Sequence, residues 1–232
     1  MARRPVSNPL ALAVLSCLSE RPMHPYEIST TLRHRGKEQS IKLNYGSLYS
    51  VVESLQKHGL ISARETSREG RRPERTVYEI TGTGQDEFED WLAELLSTPV
   101  RDFTSLEAGL SLMAGLPPDE VVRLLAERVE KLRIEIGSLD AVFAVTAERK
   151  LPELFTVESR FRRAMLSAEL DFVDRLVDDI RNGVFSGVAV WRRLHELRAQ
   201  GISFEEILRD PVSHLGEEAR PLEDVPPASD RP

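Results

Sequence analysis

Apolar residues early in the chain recur at helical spacing in three short bursts and then give way to an extended pattern. Asn8-Pro9 supplies an N-cap and a proline at the first helical position, and Leu10, Val14, Leu15 and Leu18 mark one helix face as far as Arg21-Pro22. Pro25 opens a second helix, with Tyr26, Ile28 and Leu32 as its apolar positions and Gly36 as its stop. The third runs from Asn44 to about His58, ended by Gly59. Leu48, Val51, Val52 and Leu55 share one of its faces, and Gly46, Ser50, Glu53, Ser54 and Lys57 share the other. Two stretches of strand character follow, 60–66 and 75–81, around a loop rich in Gly, Arg, Glu and Pro.

Three helices followed by a hairpin is the order of a winged helix-turn-helix, in which the third helix enters the major groove and the wing lies along the backbone or minor groove. Beyond Thr83 the pattern is almost wholly helical. Phe88, Trp91, Leu92, Leu95 and Leu96 predict an amphipathic helix over 84–97, and Thr104 with Glu107 predicts a capping box before Leu106, Leu110 and Leu112. From Pro118 to about Ala147, Val121, Leu125, Val129, Leu132, Ile136, Leu139 and Phe143 step by threes and fours. Leu166, Leu170, Val173, Val177 and Ile180 do the same in the next helix. Two such seams predict a coiled-coil interface with a second copy of the chain; the alternative is an intramolecular hairpin that spends both on itself. A further helix pair is expected over 186–209, broken at Gly201 and restarted by the capping box beginning at Ser203.

The expected fold class is mainly α: an N-terminal winged helix-turn-helix with a two-stranded wing over 1–84, a helical linker and all-helical dimerisation domain over 85–183, an additional helix pair over 184–211, and an acidic, Pro-rich disordered tail over 212–232.

Composition changes this picture in two places. The 232 residues carry a formal charge of −7, but residues 1–84 hold 13 Lys and Arg against 8 Asp and Glu, and the rest 18 against 30. A basic head on an acidic body points to polyanion contact confined to the head, although lopsided charge is also common in ordinary soluble proteins. The single cysteine, Cys17, lies in an apolar run, which excludes an intramolecular disulfide or a multi-cysteine zinc site and suggests an inert core thiol. The short apolar stretch near the start ends in Glu20-Arg21 without a cleavage pattern, so neither a signal peptide nor a membrane span is read and a cytoplasmic protein is expected.

Candidate chemistry concentrates at the third helix and the wing. The outward face of that helix is small or polar, as close approach to base edges and phosphates requires, and Tyr45 and Tyr49 on its flank offer hydroxyl donors. Glu53 repels phosphate unless it accepts from a cytosine amino group. In the loop, Arg68, Arg71, Arg72 and Arg75 place four arginines in eight residues, diluted by two glutamates. The DNA-contact candidates are Lys42, Asn44, Tyr45, Ser47, Tyr49, Ser50, Glu53, Ser54, Lys57 and these four arginines; an ordinary solvated surface is the plainer alternative. Enzyme-like signals do not hold. Gly82-Thr83-Gly84 has Glu87 at the third fingerprint position and reads as a strand-to-helix turn, and the five histidines show no metal-ligand spacing. Neither a cofactor, a metal nor a catalytic residue is expected.

The stretches LALAVLSCLSERPMHPYEI at 10–28, LNYGSLYSVVESLQKHGLI at 43–61 and GRRPERTVYEITGTG at 70–84 resemble the PadR family of winged-helix transcriptional regulators, and the helical region 85–183 looks like the C-terminal domain of its longer members. The resemblance implies a homodimeric repressor on an inverted-repeat operator in double-stranded DNA, released by a small aromatic or hydrophobic effector. By position, Tyr49 matches the family's tyrosine in the turn, Ser47 its preceding hydroxyl residue, and Tyr78 the aromatic near the end of the wing, where packing is the expected role. Val51-Val52 departs from the family pattern. An effector pocket lined by Trp91, Phe103 and Phe143 is suggested by aromatic content and this analogy. The rival readings are a protein-interaction adaptor without sequence-specific DNA binding, which would want an apolar outer face on the third helix, and an enzyme in the helical half, for which no nucleotide loop or nucleophile motif is present.

Overall fold

The computed structural model describes residues 6, 8–41, 45–67 and 75–222. Its elements in chain order are α1 (Pro9–Glu20), α2 (Pro25–His34), α3 (Tyr45–Lys57), β1 (Ile61–Ser67), β2 (Arg75–Ile80), α4 (Gly82–Ser97), α5 (Ser105–Leu112), α6 (Pro118–Glu148), α7 (Val157–Arg181), α8 (Val188–Ala199), α9 (Phe204–Arg209) and α10 (Pro211–Leu215), with short 3-10 turns between several of them. The chain divides into two compact units, Met1–Asp102 and Phe103–Pro232.

The first unit is the three helices and hairpin that the pattern predicts. Asn8 caps α1 by accepting from the Leu10 amide at 2.9 Å. His24 caps α2 in a reciprocal box: its ring Nδ1 accepts from the Tyr26 amide, and its own amide donates to Glu27 at 2.9 Å. Leu10, Val14, Leu15, Ile28, Leu48, Val52, Leu55 and Ile61 meet in one fully apolar core. Cys17 sits there too, its thiol pushed up to about 11 by burial, which makes it a packing group and not a nucleophile. At the rim, the Arg35 guanidinium grips Glu20 and holds that carboxyl below its ordinary value, tying the ends of α1 and α2.

The wing is an antiparallel pair in register Ile61↔Ile80 and Thr66↔Thr76, with an irregularity between Ala63 and Glu65. A feature the pattern did not predict ties it to the helices. Met23, in the turn between α1 and α2, exchanges two 3.0 Å backbone hydrogen bonds with Tyr78. The half-buried Tyr78 ring packs on the core, as expected of it.

The helix predicted over 84–97 begins at Gly82 and belongs to this unit, because Trp91 inserts into the N-terminal core; the chain divides at Asp102–Phe103 and not at 84–85. Thr81 joins the pieces, its hydroxyl donating to Gly59 O at 2.7 Å and accepting from the Gly84 amide at 3.0 Å. Gly59 has φ +71, the left-handed turn that stops α3.

The second unit is built on α6 and α7, which pack along each other. The heptad-spaced positions assigned to a second copy are largely consumed inside one chain. Val121, Leu125, Val129, Leu132 and Leu139 of α6 and Val173, Val177 and Ile180 of α7 are buried, while Ile136, Phe143, Leu166 and Leu170 are half-buried. The intramolecular alternative describes these residues, because the connection at 149–156 turns the second helix back on the first and each stripe covers the other. Each buried valine or leucine contributes about 1.5–3 kcal/mol, far more than the flanking Arg128–Glu169 and Arg133–Asp174 ion pairs. Val188 and Trp191 of α8 complete this core, the indole donating to Leu116 O at 2.9 Å.

Thr104 and Ser203 cap α5 and α9 as their capping boxes predict. The tail expected from residue 212 starts later than its composition suggests. Leu215 and Ala219 are buried with Leu197 and Ile207 in a small third core, so α10 and the 3-10 turn at Glu217–Leu222 are packed structure. A few apolar residues suffice there because α8 and α9 already present an apolar surface. Residues 223–232 lie outside the described residues.

Gly84 provides a sharp test of this packing, since a Cβ there would meet the Leu60 carbonyl oxygen at 1.9 Å, whereas one at Gly82 would meet nothing within 4 Å. Gly84→Ala is expected to lower unfolding free energy by about 1–3 kcal/mol and Gly82→Ala to change it by less than about 0.5 kcal/mol, measured by urea denaturation.

Candidate nucleic-acid interface

The outward surface of α3 follows from what the helix buries. Leu48, Val51, Val52 and Leu55 are at most 6% exposed, so the 3.6-residue repeat turns Gly46, Ser47, Ser50, Glu53 and Lys57 to solvent, with Ser54 half-buried at the edge. Tyr49 is 45% exposed, its ring on the flank as its spacing predicts. The surface is therefore small and hydroxyl-rich at Gly46, Ser47, Ser50 and Ser54 and charged at Glu53 and Lys57. The Ser50 hydroxyl donates back to Gly46 O at 3.1 Å, which leaves its oxygen lone pairs facing outward as acceptors. At the far end, His58 Nδ1 lies 2.7 Å from Ser54 O and ties the last turn of the face.

Gly46, Ser47, Ser50 and Ser54 line an open groove whose opposite wall comes from Val6 and Asn8, ahead of α1. The sequence reading missed that wall. The local pattern marks Asn8 only as a helix cap and holds no signal that pairs it or Val6 with α3.

Among the other DNA-contact candidates, Lys42, Asn44, Arg68, Arg71 and Arg72 lie outside the described residues. Tyr45 and Arg75 are described as backbone only, at the first position of α3 and the first of β2. On the described part of the wing, Arg64 is exposed and pairs with Glu79 across the two strands at 3.7 Å.

The three residues expected to line an effector pocket fall in different units of the chain. Trp91 is buried in the core of the first unit, while Phe103 and Phe143 belong to the second, the former 80% exposed and the latter half-buried on α6. Trp91 packs α4 against α1 in that core. Among the described residues, no group of three or more His, Cys, Asp or Glu could hold a metal ion, and no helix is long and apolar enough to cross a membrane.

Residues 14–90 match the family model described as the transcriptional regulator PadR-like family. The fold resembles Bacillus subtilis PadR in complex with operator DNA, at 16% identity and a TM-score of 0.58, over 74% of this chain and 98% of that one. It also resembles Bacillus subtilis PadR in complex with p-coumaric acid, at 15% identity and a TM-score of 0.57, over 73% and 96%. These likenesses establish a mostly helical fold with a two-stranded wing, the class expected from the residue pattern. No curated protein matches the chain by sequence.

Proposed function

We propose that this chain, whose residues 14–90 carry the winged helix of PadR-like transcriptional regulators, is a homodimeric repressor that reads an inverted-repeat operator. The single observation carrying the reading is the polar outer face of α3, with Ser47, Ser50, Glu53 and Lys57 outward and a wing beside it, in the segment that matches the family. Small hydroxyl side chains admit the duplex closely, Lys57 and Tyr49 offer donors to phosphate, and Glu53 selects against bases that lack an amino donor. The arginines at 68, 71, 72 and 75 add phosphate or minor-groove contact from the wing. An adaptor that docked partners on α3 would need an apolar outer face, which this helix lacks.

Dimerisation requires a surface other than the inner seams. Helix α7 carries a second apolar stripe, Val157, Phe161, Met165 and Phe172, and α6 adds Ile134 and Val142; all six are about half exposed or more. A second copy covering this surface would remove it from water and hold two α3 helices about one helical turn of DNA apart, or a multiple of it. The complex of Bacillus subtilis PadR with p-coumaric acid supports a small aromatic effector as the releasing signal.

In fluorescence anisotropy on a duplex from immediately upstream of its own gene, Tyr49→Ala and Lys57→Ala are expected each to weaken binding by about tenfold, or 1.4 kcal/mol, while thermal midpoints stay unchanged. Equal affinities for both variants and the unaltered protein would count against the interface. Light scattering is expected to give about twice the 26.2 kDa chain mass, and the double change Phe161→Glu/Met165→Glu to return it to the monomer with helicity intact. Adding p-coumaric acid or related phenolic acids to the DNA complex is expected to lower anisotropy; titration through millimolar concentrations without release would remove this effector class.

A further inference from the structure

We propose that His24 makes the junction of α2 and the wing acid-sensitive: protonation of its ring releases the N-terminal cap of α2 and loosens the backbone bridge that holds the wing. Nothing in this device requires DNA. The Tyr26 amide can only donate, so at 3.1 Å the Nδ1 of His24 must accept, and the ring proton must sit on Nε2. An imidazolium carries N–H on both nitrogens and accepts nothing. A second proton therefore breaks this bond and strips the Tyr26 amide of its cap at the start of the helix. His58 and His195 differ, because their ring nitrogens face the carbonyl oxygens of Ser54 and Ala114, which accept from the ring in either charge state. Acid breaks the His24 cap and spares those two.

The surrounding charges do not reverse the sign. On α2 itself, the Glu27 carboxylate accepts from the His24 amide at 2.9 Å and lies 3.6 Å from Arg21 at the end of α1, so its attraction for an imidazolium is already shared with a guanidinium. Glu20 of α1 is held by Arg35, and Glu79 of β2 lies 3.7 Å from Arg64 of β1. Helix α3 packs on α2 with its apolar face and turns Glu53 and Lys57 outward, while Lys37 and Glu38 lie past the far end of α2. The positive end of the α2 dipole adds to the cost of a cation at the cap. Neutral His24 thus stabilises the fold above the ordinary imidazole range, at about 6.5, and that contribution is lost as pH falls through it. The consequence extends to the wing, because Met23, one residue earlier, exchanges both of its backbone groups with Tyr78 at 3.0 Å. Fraying the first turn of α2 frees the backbone on which that bridge is seated.

The test compares the full chain with His24→Asn, which keeps a cap acceptor that does not titrate, and His24→Ala, which has none. Amide hydrogen exchange is read at pH about 7.5 and about 5.5, either side of the imidazole range, as protection factors that remove the intrinsic pH dependence of exchange. Glu20 stays ionised throughout this window, because Arg35 holds its carboxyl below the ordinary value. On acidification the unaltered protein is expected to lose about fivefold in protection at the amides of Tyr26 and Ile28 in the first turn and of Met23 and Tyr78 in the bridge. His24→Asn is expected to hold its values across the window, and His24→Ala to show the reduced values at both ends of it. Nitrogen NMR of the ring is expected to show the proton on Nε2 at the higher pH. A proton on Nδ1 there, full protection in His24→Ala, no acid loss in the unaltered protein, or an equal loss in His24→Asn would each overturn the switch. A loss at Tyr26 and Ile28 with Met23 and Tyr78 unchanged would overturn its link to the wing.

Discussion

The burial of one face of α3 is the constraint on which the rest of the first unit depends. Leu48, Val52 and Leu55 are locked against α1, α2 and the base of the wing, and truncating any one to alanine in such a site costs about 2–5 kcal/mol. The helix therefore cannot roll about its axis. Its polar face is held in one direction by packing alone, with no catalytic or ligand chemistry involved, and the Met23–Tyr78 bridge fixes the wing to the same frame. The duplex contact proposed for this face needs that fixity, because each misplaced contact loses both its hydrogen bond and the water it displaced.

The second unit answers a different problem. Two long helices with apolar stripes need partners, and a short connection lets each serve as the other's partner. Once Val173, Val177 and Ile180 are spent on α6, what remains outward on α7 is Val157, Phe161, Met165 and Phe172, a second stripe on the adjoining flank of the same helix. Ion pairs across the hairpin set register at little net gain in stability. A helix apolar on two sides is stable as a monomer through one side and has a surface to offer through the other.

Local signals were legible wherever the physics was local. Asn8, His24, Thr104 and Ser203 cap helices because a side chain two or three residues from an unpaired amide needs nothing distant to find it. Gly36, Gly59 and Gly201 end or break helices at positive φ for the same reason. The inner and outer faces of α3 were legible because only one side of it is apolar. On α7, periodicity identified a stripe but not its partner, since a seam facing a second copy and one facing the preceding helix have the same spacing. The packed turn at 217–222 is hidden by its charge and proline content; the buried Ala219 and the half-buried Leu222 there matter more than composition.

Residue order by itself determined the helix-helix-helix-hairpin succession, the two faces of α3 and the long paired helices, because caps, stops and apolar repeats act over a few residues. Only the tertiary structure decided that Trp91 closes the N-terminal core, that Met23 bonds to the wing, that the heptad seams meet within one chain, and that Val6 and Asn8 wall a groove with α3. Those contacts join residues tens of positions apart. Which of several compatible apolar surfaces meet is settled by the path of the chain between them, which no local spacing encodes.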